Sequence, residues 1–451
     1  MLRDLRNDRA RLGIAFGAFA VRLIAALTLA RPPAGVHDPL MYHQFAVHIS
    51  NGKGYANWNG DPTSYYPPGY PWFLGVQQTI LKAIGAEGSL YRVAPVLQAL
   101  LGGVAVWALI EVASRLHRDA RRGRRIGLAA GAVLALWPNL ILHSATLLSE
   151  SLFLGCLCLF LLGITRLITG EAAPWSRPWW TQATLAGVSL GAATLSRPQV
   201  LLLLPAFALG IAMLRLPWRA RAAVFFVPAV LGAAVVAPWT VRNAFVFGEF
   251  IPVSTNGGDN LCIGFNRDAR GHWFAPETCE TGDFYQEGPE AEVRRNHDAT
   301  RIARTWVANN VTRLPWLSWR KLVYTYDNDV DGLRAVEGYG SDEFLPSTVR
   351  SGLRVVSNGY YAVAMALATF GLAVLGGSVV GAVRSARHRD AVTALSVAIL
   401  VGGVSSALVP ILFFGEARFK VPSTPFFAVF AAVALAALWD RFAPSTDTPA
   451  R

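Results

Sequence analysis

The sequence predicts an all-α protein that crosses a membrane many times, and three observations carry the prediction. Apolar residues make up 53% of the 451-residue chain and charged residues only 16%, against about 25% charged in an ordinary soluble domain. A water-soluble chain so poor in charge, with a mean hydropathy of +0.36, would leave large apolar patches exposed. The apolar residues also gather in runs of spanning length, which takes about 17–25 residues. Finally, the basic excess sits in short clusters between those runs. The chain carries +12, yet residues 241–354 hold 13 Lys/Arg against 16 Asp/Glu. No soluble basic domain remains for a nucleic acid to dock on, so that partner is excluded.

In chain order the spans are read as 12–30, 92–113, 126–143, 147–168, 181–196, 199–214, 222–240, 357–383, 391–413 and 421–439, the fifth and sixth being short. Arginine marks the cytoplasmic ends of such spans. Arg3, Arg6, Arg9 and Arg11 precede the first, and six arginines between Arg115 and Arg125 follow the second. Arg215, Arg219 and Arg221 follow the sixth, and Arg384, Arg387 and Arg389 the eighth. Ten spans put all of these, and both termini, on the cytoplasmic side of a bacterial inner membrane. The first run has the basic start of a signal peptide, but Arg22 interrupts it and Thr28-Leu29-Ala30 is a poor cleavage site. It is read as an uncleaved anchor.

Two segments, 31–91 and 241–356, then face outward. The chain divides into a core of spans one to seven (1–240, including the outer loop 31–91), a periplasmic region (241–356), and the last three spans with a short tail (357–451). The cytoplasmic connections are too short for a nucleotide-binding module, and no G-x-x-x-x-G-K-[ST] loop occurs. Within the first outer segment, Pro71 to Ile84 is apolar but too short to span, so an interfacial or re-entrant helix is expected. Cys156 and Cys158 lie inside the fourth span. Cys262 and Cys279 lie outside, where a bridge is open to either outcome because spacing cannot test geometry. No CxxC, HExxH or His-rich cluster appears, so no metal site is assigned.

Three constellations carry chemistry. The first is VHDPLMYHQFAVHI at 36–49, where Asp38 follows the first span and shares a helical face with Tyr42. Asp38 reads as a helix cap ahead of Pro39 and as a carboxylate poised as a general base, and the two readings are compatible because a cap is also rigidly placed. The second is YYPPGYP at 65–71, a stiff aromatic turn that suits a sugar or lipid headgroup. The third is a set of charges at outer span ends: Glu150, Arg197, Arg242, Glu416, Arg418 and Lys420. Charge at membrane depth is expensive, about 2.5–3.5 kcal/mol on insertion scales, so it tends to be paired or functional. Arg242, Arg418 and Lys420 together would make a phosphate seat. Outside the cytoplasm no nucleotide sugar is at hand, so a group-transfer enzyme there needs a donor already activated in the membrane.

An Asp after the first span, then GKGY, then YYPPGYP, resembles the first outer loop of the GT-C membrane glycosyltransferases. The resemblance is closest to the bacterial glycosyltransferase family 39-like branch, related to protein O-mannosyltransferases and the lipid A aminoarabinose transferase. It extends through LLSESLFL at 147–154, TLSRPQ at 194–199, PWTVRNAFVFGEFIPVSTNGG at 238–258 and GEARFKVPSTP at 415–425, in the family's order. The resemblance implies a GT-C fold, with juxtamembrane helices in the first outer loop and a larger second one. It implies Asp38 as catalytic base, Tyr42 as its neighbour and Arg242 as a phosphate contact. Many relatives have two adjacent acids where this chain has Asp38-Pro39. The substrate-binding candidates are His37, Tyr42, Tyr55, Tyr65, Tyr66, Glu150, Arg197, Arg242, Asn243, Asn256, Arg418 and Lys420.

The expected activity is inverting transfer of a sugar from a polyprenyl-phosphate donor to an acceptor hydroxyl on a lipid, glycan or protein, at the outer face. No cofactor is required; a divalent ion beside Asp38 stays open, because carboxylates suit hard cations. Two other classes compete: a transporter or flippase of a lipid-linked sugar, and a non-catalytic assembly partner. Transporters show internal repeats and midplane charges. This chain shows no repeat, and its charges cluster at one face.

Overall fold

The computed structural model describes residues 9–274, 276–279, 288–385 and 390–442. Arg3, Arg6, Arg387 and Arg389 lie outside the described residues, as do both chain ends. Among the described residues the regular structure is helical. The core helices are α1 (Arg9–Leu29), followed after an outer segment by α4 (Leu90–Ser114), α5 (Ala120–Ala135), the short α6 (Pro138–His143), α7 (Glu150–Ile168), α8 (Arg177–Ser196), α9 (Leu204–Ala212) and α10 (Trp218–Phe247). The first outer segment contributes α2 (Asp38–Ser50) and α3 (Gly69–Ala83). The second contributes α11 (Gly257–Gly264), α12 (Pro289–Asn309), α13 (Leu314–Tyr326) and α14 (Asp331–Val336). The chain returns through α15 (Ser347–Arg384), α16 (Ala391–Leu408) and α17 (Thr424–Phe442).

Seven of the helical segments are long and apolar enough to cross a membrane: those of α1, α4, α7, α10, α15, α16 and α17. The protein is a multi-pass membrane protein. The other three expected spans differ from that pattern. The third is broken at Pro138, which has no N–H for the Leu134 carbonyl; Arg22 of α1 donates instead to the carbonyls of Leu134 (3.1 Å) and Ala135 (2.9 Å). These are carbonyls that the last turn of α5 leaves without helical partners. Pro138 then restarts the chain as α6. The fifth, α8, dilutes its apolar residues with Thr181, Gln182, Ser189 and Thr194. The sixth is a 3-10 turn, Pro198–Leu203, running into α9.

Side-chain exposure follows the solvent expected around such a bundle. Leu12, Phe16, Ile24 and Leu27 of α1, Phe226 and Val230 of α10, and Val355, Val356 and Val363 of α15 are exposed, whereas small residues such as Ala18, Ala25 and Ala26 face the core. In lipid the exposed leucines and phenylalanines carry no penalty, and small residues let helices approach closely. A side chain on Gly371 would overlap the Phe430 carbonyl, so the α15–α17 crossing depends on that glycine.

The arginine clusters gather at one end of the bundle. Glu111 near the end of α4 binds Arg11, Arg115 and Arg166, and Arg118 and Arg122 bind Asp390 and Asp440. The described residues of the outer segments 31–89 and 248–346 cover the opposite end. There α3 occupies the place expected of the interfacial helix. Its inner face carries buried Tyr70, Leu74, Gln77 and Leu81, while Trp72, Val76, Ile80 and Ile84 form an exposed stripe at four-residue spacing.

Candidate active site

The site lies where the outer ends of α1, α7, α8 and α17 meet the two outer segments. His37 occupies the extended position before α2, and Asp38 and Pro39 are its first helical residues. No side chain caps this helix, so Asp38 is not the cap that sequence allows. Instead both carboxylate oxygens are held by distant residues. Tyr66 donates to Oδ1 at 3.0 Å, and Arg418 donates to Oδ2 at 2.7 Å.

From Asp38 the charges continue inward. Arg418 Nε reaches Glu150 Oε1 at 2.9 Å, and Arg197 binds the same carboxylate while its Nε donates to Ser149 at 3.1 Å. Side-chain exposure falls from 25% at Asp38 through 11% at Arg418 to 0% at Glu150, so the chain runs from an accessible carboxylate to a buried one. Local sequence explains the geometry: Glu150 opens α7, and Arg197 follows the end of α8 in extended backbone ahead of Pro198. Arg418 lies on a 3-10 turn, Ala417–Ser423.

Aromatic rings wall the accessible end. Tyr42 meets Tyr66 and Tyr70 edge-on at 5.4 and 5.1 Å, and Tyr55 stacks on Phe45 at 4.6 Å. Burial pushes the Tyr42 phenol above its ordinary range, so it stays a neutral hydrogen-bonding group. His37 packs against Tyr339 at 5.1 Å.

The expected phosphate seat is not assembled as one cluster. Arg242 donates to the carbonyls of Thr63 (2.9 Å) and Tyr55 (3.2 Å), pinning the first outer segment to the end of α10. Lys420 is fully buried with Asp329 at 3.2 Å, and Trp137 and Asn139 donate to the same carboxylate. A 3-10 turn points residues two apart in different directions, which separates Lys420 from Arg418. Asn243 is also buried and donates to the Ile251 carbonyl, while Asn256 accepts from Ser254. Tyr65 packs edge-on against Tyr66 at 5.0 Å, while its hydroxyl points to the second outer segment and donates to Asp259, which also binds Arg295. Beside it, Glu292 accepts from Thr63, Ser64 and Thr255 and so ties the two outer segments together. Burial raises the pKa of both Asp259 and Glu292.

Sequence reasoning missed His143, Asp329, Asp331 and Tyr339. His143 binds Asp331 at 2.9 Å, and Asn139 Oδ1 accepts from the backbone of Gly332 at 2.6 Å, so the break after α5 docks the 329–332 segment beside the site. The DNDVD run at 327–331 was the available signal; nothing in the sequence links it to His143. Cys262 and Cys279 are bridged. Cys156 and Cys158 are buried and free.

A multi-pass bundle with charged and aromatic side chains gathered under two outer segments is the class of protein that fold and site define. No family model matches the sequence, and no curated protein matches it. Solved structures do. The Archaeoglobus fulgidus oligosaccharyltransferase, in complex with zinc and sulfate, aligns with 96% of this chain at a TM-score of 0.53 and 15% identity. The oligosaccharyltransferase AglB from the same organism, with an inhibitory peptide and a dolichol-phosphate, aligns with 96% at 0.52 and 15%. This chain spans about half the length of those enzymes, 49% and 50%. ArnT from Cupriavidus metallidurans, bound to undecaprenyl phosphate, aligns at a TM-score of only 0.42 and 13% identity, too loosely to carry an argument. The fold is that of the GT-C membrane glycosyltransferases.

Proposed function

We propose that the protein transfers a sugar from a polyprenyl-phosphate donor to an acceptor hydroxyl, with inversion, on the outer face of a bacterial inner membrane. One observation carries the reading: on a GT-C fold, an accessible carboxylate, Asp38, is coupled through Arg418 and Glu150 to Arg197 and walled by Tyr42 and Tyr66. The cluster lies at the end of the bundle away from the arginine-marked ends, which favours the outer face. The Cys262–Cys279 bridge points the same way, since disulfides persist in oxidising compartments. A solved protein of this fold is in complex with a dolichol-phosphate, the same class of lipid carrier.

In this scheme the tyrosine walls hold the sugar. Asp38 faces the anomeric carbon and offsets the positive charge that grows there as the phosphate leaves. Each of its oxygens accepts one hydrogen bond, which orients the carboxylate and, in this scheme, lets its charge act electrostatically at the reacting centre. Arg418 uses Nε and one terminal nitrogen on Glu150 and Asp38. Its other terminal nitrogen has no protein partner among the described residues, and it meets a phosphate oxygen in this scheme. Transporters commonly carry charges at mid-bundle and repeated halves instead. The test is transfer from purified undecaprenyl-phosphate mannose or arabinose to a membrane glycolipid extract by the purified full-length protein. Labelled glycolipid is the expected result, and donor crossing vesicles intact would favour the transporter.

A further inference from the structure

Resting on that reading, we propose that Glu416 takes the proton from the attacking acceptor hydroxyl, with the Tyr339 phenol beside it. Three observations carry this. The first is position. Glu416 sits in extended backbone just before the 3-10 turn that bears Arg418. Its surroundings fix that backbone: the Gly415 N–H donates to the Gly271 carbonyl at 2.7 Å, and the Phe419 N–H donates to the Glu416 carbonyl at 2.9 Å. A base so held is placed by the scaffold rather than by its own side chain.

The second is the state of its carboxylate. The charged and titratable groups that face it are Arg418 on its own segment, Asp331 of α14, Asp38 of α2 and Arg197 beyond α8, with the Tyr339 phenol close by. The others have partners: Arg418 binds Asp38 and Glu150, Arg197 binds Glu150, and Asp331 binds His143. Of these carboxylates only the side-chain carboxylate of Glu416 makes no hydrogen bond or ion pair among the described residues, although the residue is only half-buried. A carboxylate with no ion-pair partner takes up a proton without giving up a partner, whereas protonating Asp38 would weaken its ion pair with Arg418. Burial pushes the Glu416 pKa up to about 7, where a general base works best near neutral pH.

The third is Tyr339. Its backbone lies in the left-handed region at φ 53°, which disfavours a residue with a large side chain. Its hydroxyl is buried without a partner. Backbone strain and an unsatisfied buried hydroxyl are both costly, and both persist here next to Glu416. An acceptor hydroxyl or ring oxygen arriving between them would satisfy the phenol while presenting its own proton to Glu416.

The step balances. The acceptor oxygen forms its bond to the anomeric carbon as that carbon's bond to the phosphate oxygen breaks, and the electron pair leaves with the polyprenyl phosphate. The acceptor proton passes to a Glu416 oxygen and then to water.

The experiment is a pH–rate profile of transfer from undecaprenyl-phosphate mannose and arabinose to the glycolipid extract, for the parent protein, Glu416→Gln and Asp38→Asn, with melting curves for each. A base must be deprotonated to act, so the parent rate should fall tenfold per unit below about pH 7. Glu416→Gln should lose about 10²–10⁴-fold at pH 8 and show no acid limb, while Asp38→Asn should be slow yet keep the limb. If Glu416→Gln fails to fold, Glu416→Asp keeps the carboxylate one methylene short and should retain a limb at reduced rate. An unchanged limb in Glu416→Gln, a full-rate limbless Glu416→Asp, or loss of the limb in Asp38→Asn overturns the assignment to Glu416 while leaving glycosyl transfer standing. Absence of transfer by the parent at every pH overturns both.

Discussion

Asp38 and Arg418 stand 380 positions apart in the chain and meet at 2.7 Å. The pair closes the charge chain from the first outer segment to the last span, so the two ends of the sequence build one site. Its Asp38 side chain is 25% exposed, which limits what the pair adds to stability through solvent screening.

That balance separates chemistry from folding. Asp38→Asn keeps the size of the side chain and a hydrogen-bond acceptor for Tyr66. Its melting temperature should drop by no more than a few degrees, while transfer falls by about 10²–10³-fold, the usual worth of an electrostatic contact made in the transition state. Near-parental turnover by the folded variant would remove Asp38 from the reacting centre.

Lys420 should behave in the opposite way. Lys420→Met leaves Asp329 buried without its ion-pair partner, a loss of about 3–5 kcal/mol for pairs of this kind. Two hydrogen bonds from Trp137 and Asn139 remain, and protonation of Asp329, whose pKa burial already raises, places the cost at the low end. Thermal denaturation should show the loss, with donor KM unchanged in the folded fraction. A raised donor KM at an unchanged melting temperature would return Lys420 to the phosphate site.

The bridge between Cys262 and Cys279 predicts that neither thiol alkylates in the purified protein until reductant is added. Replacing both by serine should destabilise the outer segment by about 2–4 kcal/mol, seen as faster proteolysis between α11 and α12. Labelling of both cysteines without reductant would contradict the bridge.

Lys321 gives a pH dependence of known sign. Its ammonium is fully buried, 3.2 Å from the Ile411 carbonyl and 3.3 Å from the centre of the Phe265 ring. Burial depresses its pKa to about 7. Between about pH 7 and 10 the unfolded chain therefore holds more protons than the folded one, and stability rises with pH across that window. Lys321→Met should flatten the rise and stabilise the protein below pH 7. A parallel rise in the variant would assign the effect to another group.

Much of the architecture is legible in one dimension because lipid imposes it: long apolar runs and arginine-marked ends lie within single segments. The break after α5 is marked locally by Pro138, but its capping is not legible, since Arg22 bonds to carbonyls 112 and 113 positions away. Arg22 looked like an interruption in a span and is a cap on another helix. Asp38 and Tyr66 stood out through their local motifs. The division of labour among the cations did not, because Arg418 and Lys420 share a motif and differ only in which way the 3-10 turn sends them. Arg242 was equally deceptive: it has the chemistry of a phosphate ligand, and two backbone carbonyls use it.

The linked charges also set an order of events during synthesis. Asp38 and Glu150 leave the ribosome long before Arg418, and Arg197 is the only basic member of the chain present in the meantime. A growing polypeptide therefore carries an excess acidic charge at the edge of the bilayer until the last span arrives to neutralise it. Insertion of that final segment completes the site and cancels the excess together, so a chain stalled before α17 would expose an unpaired acid for quality-control proteases to find.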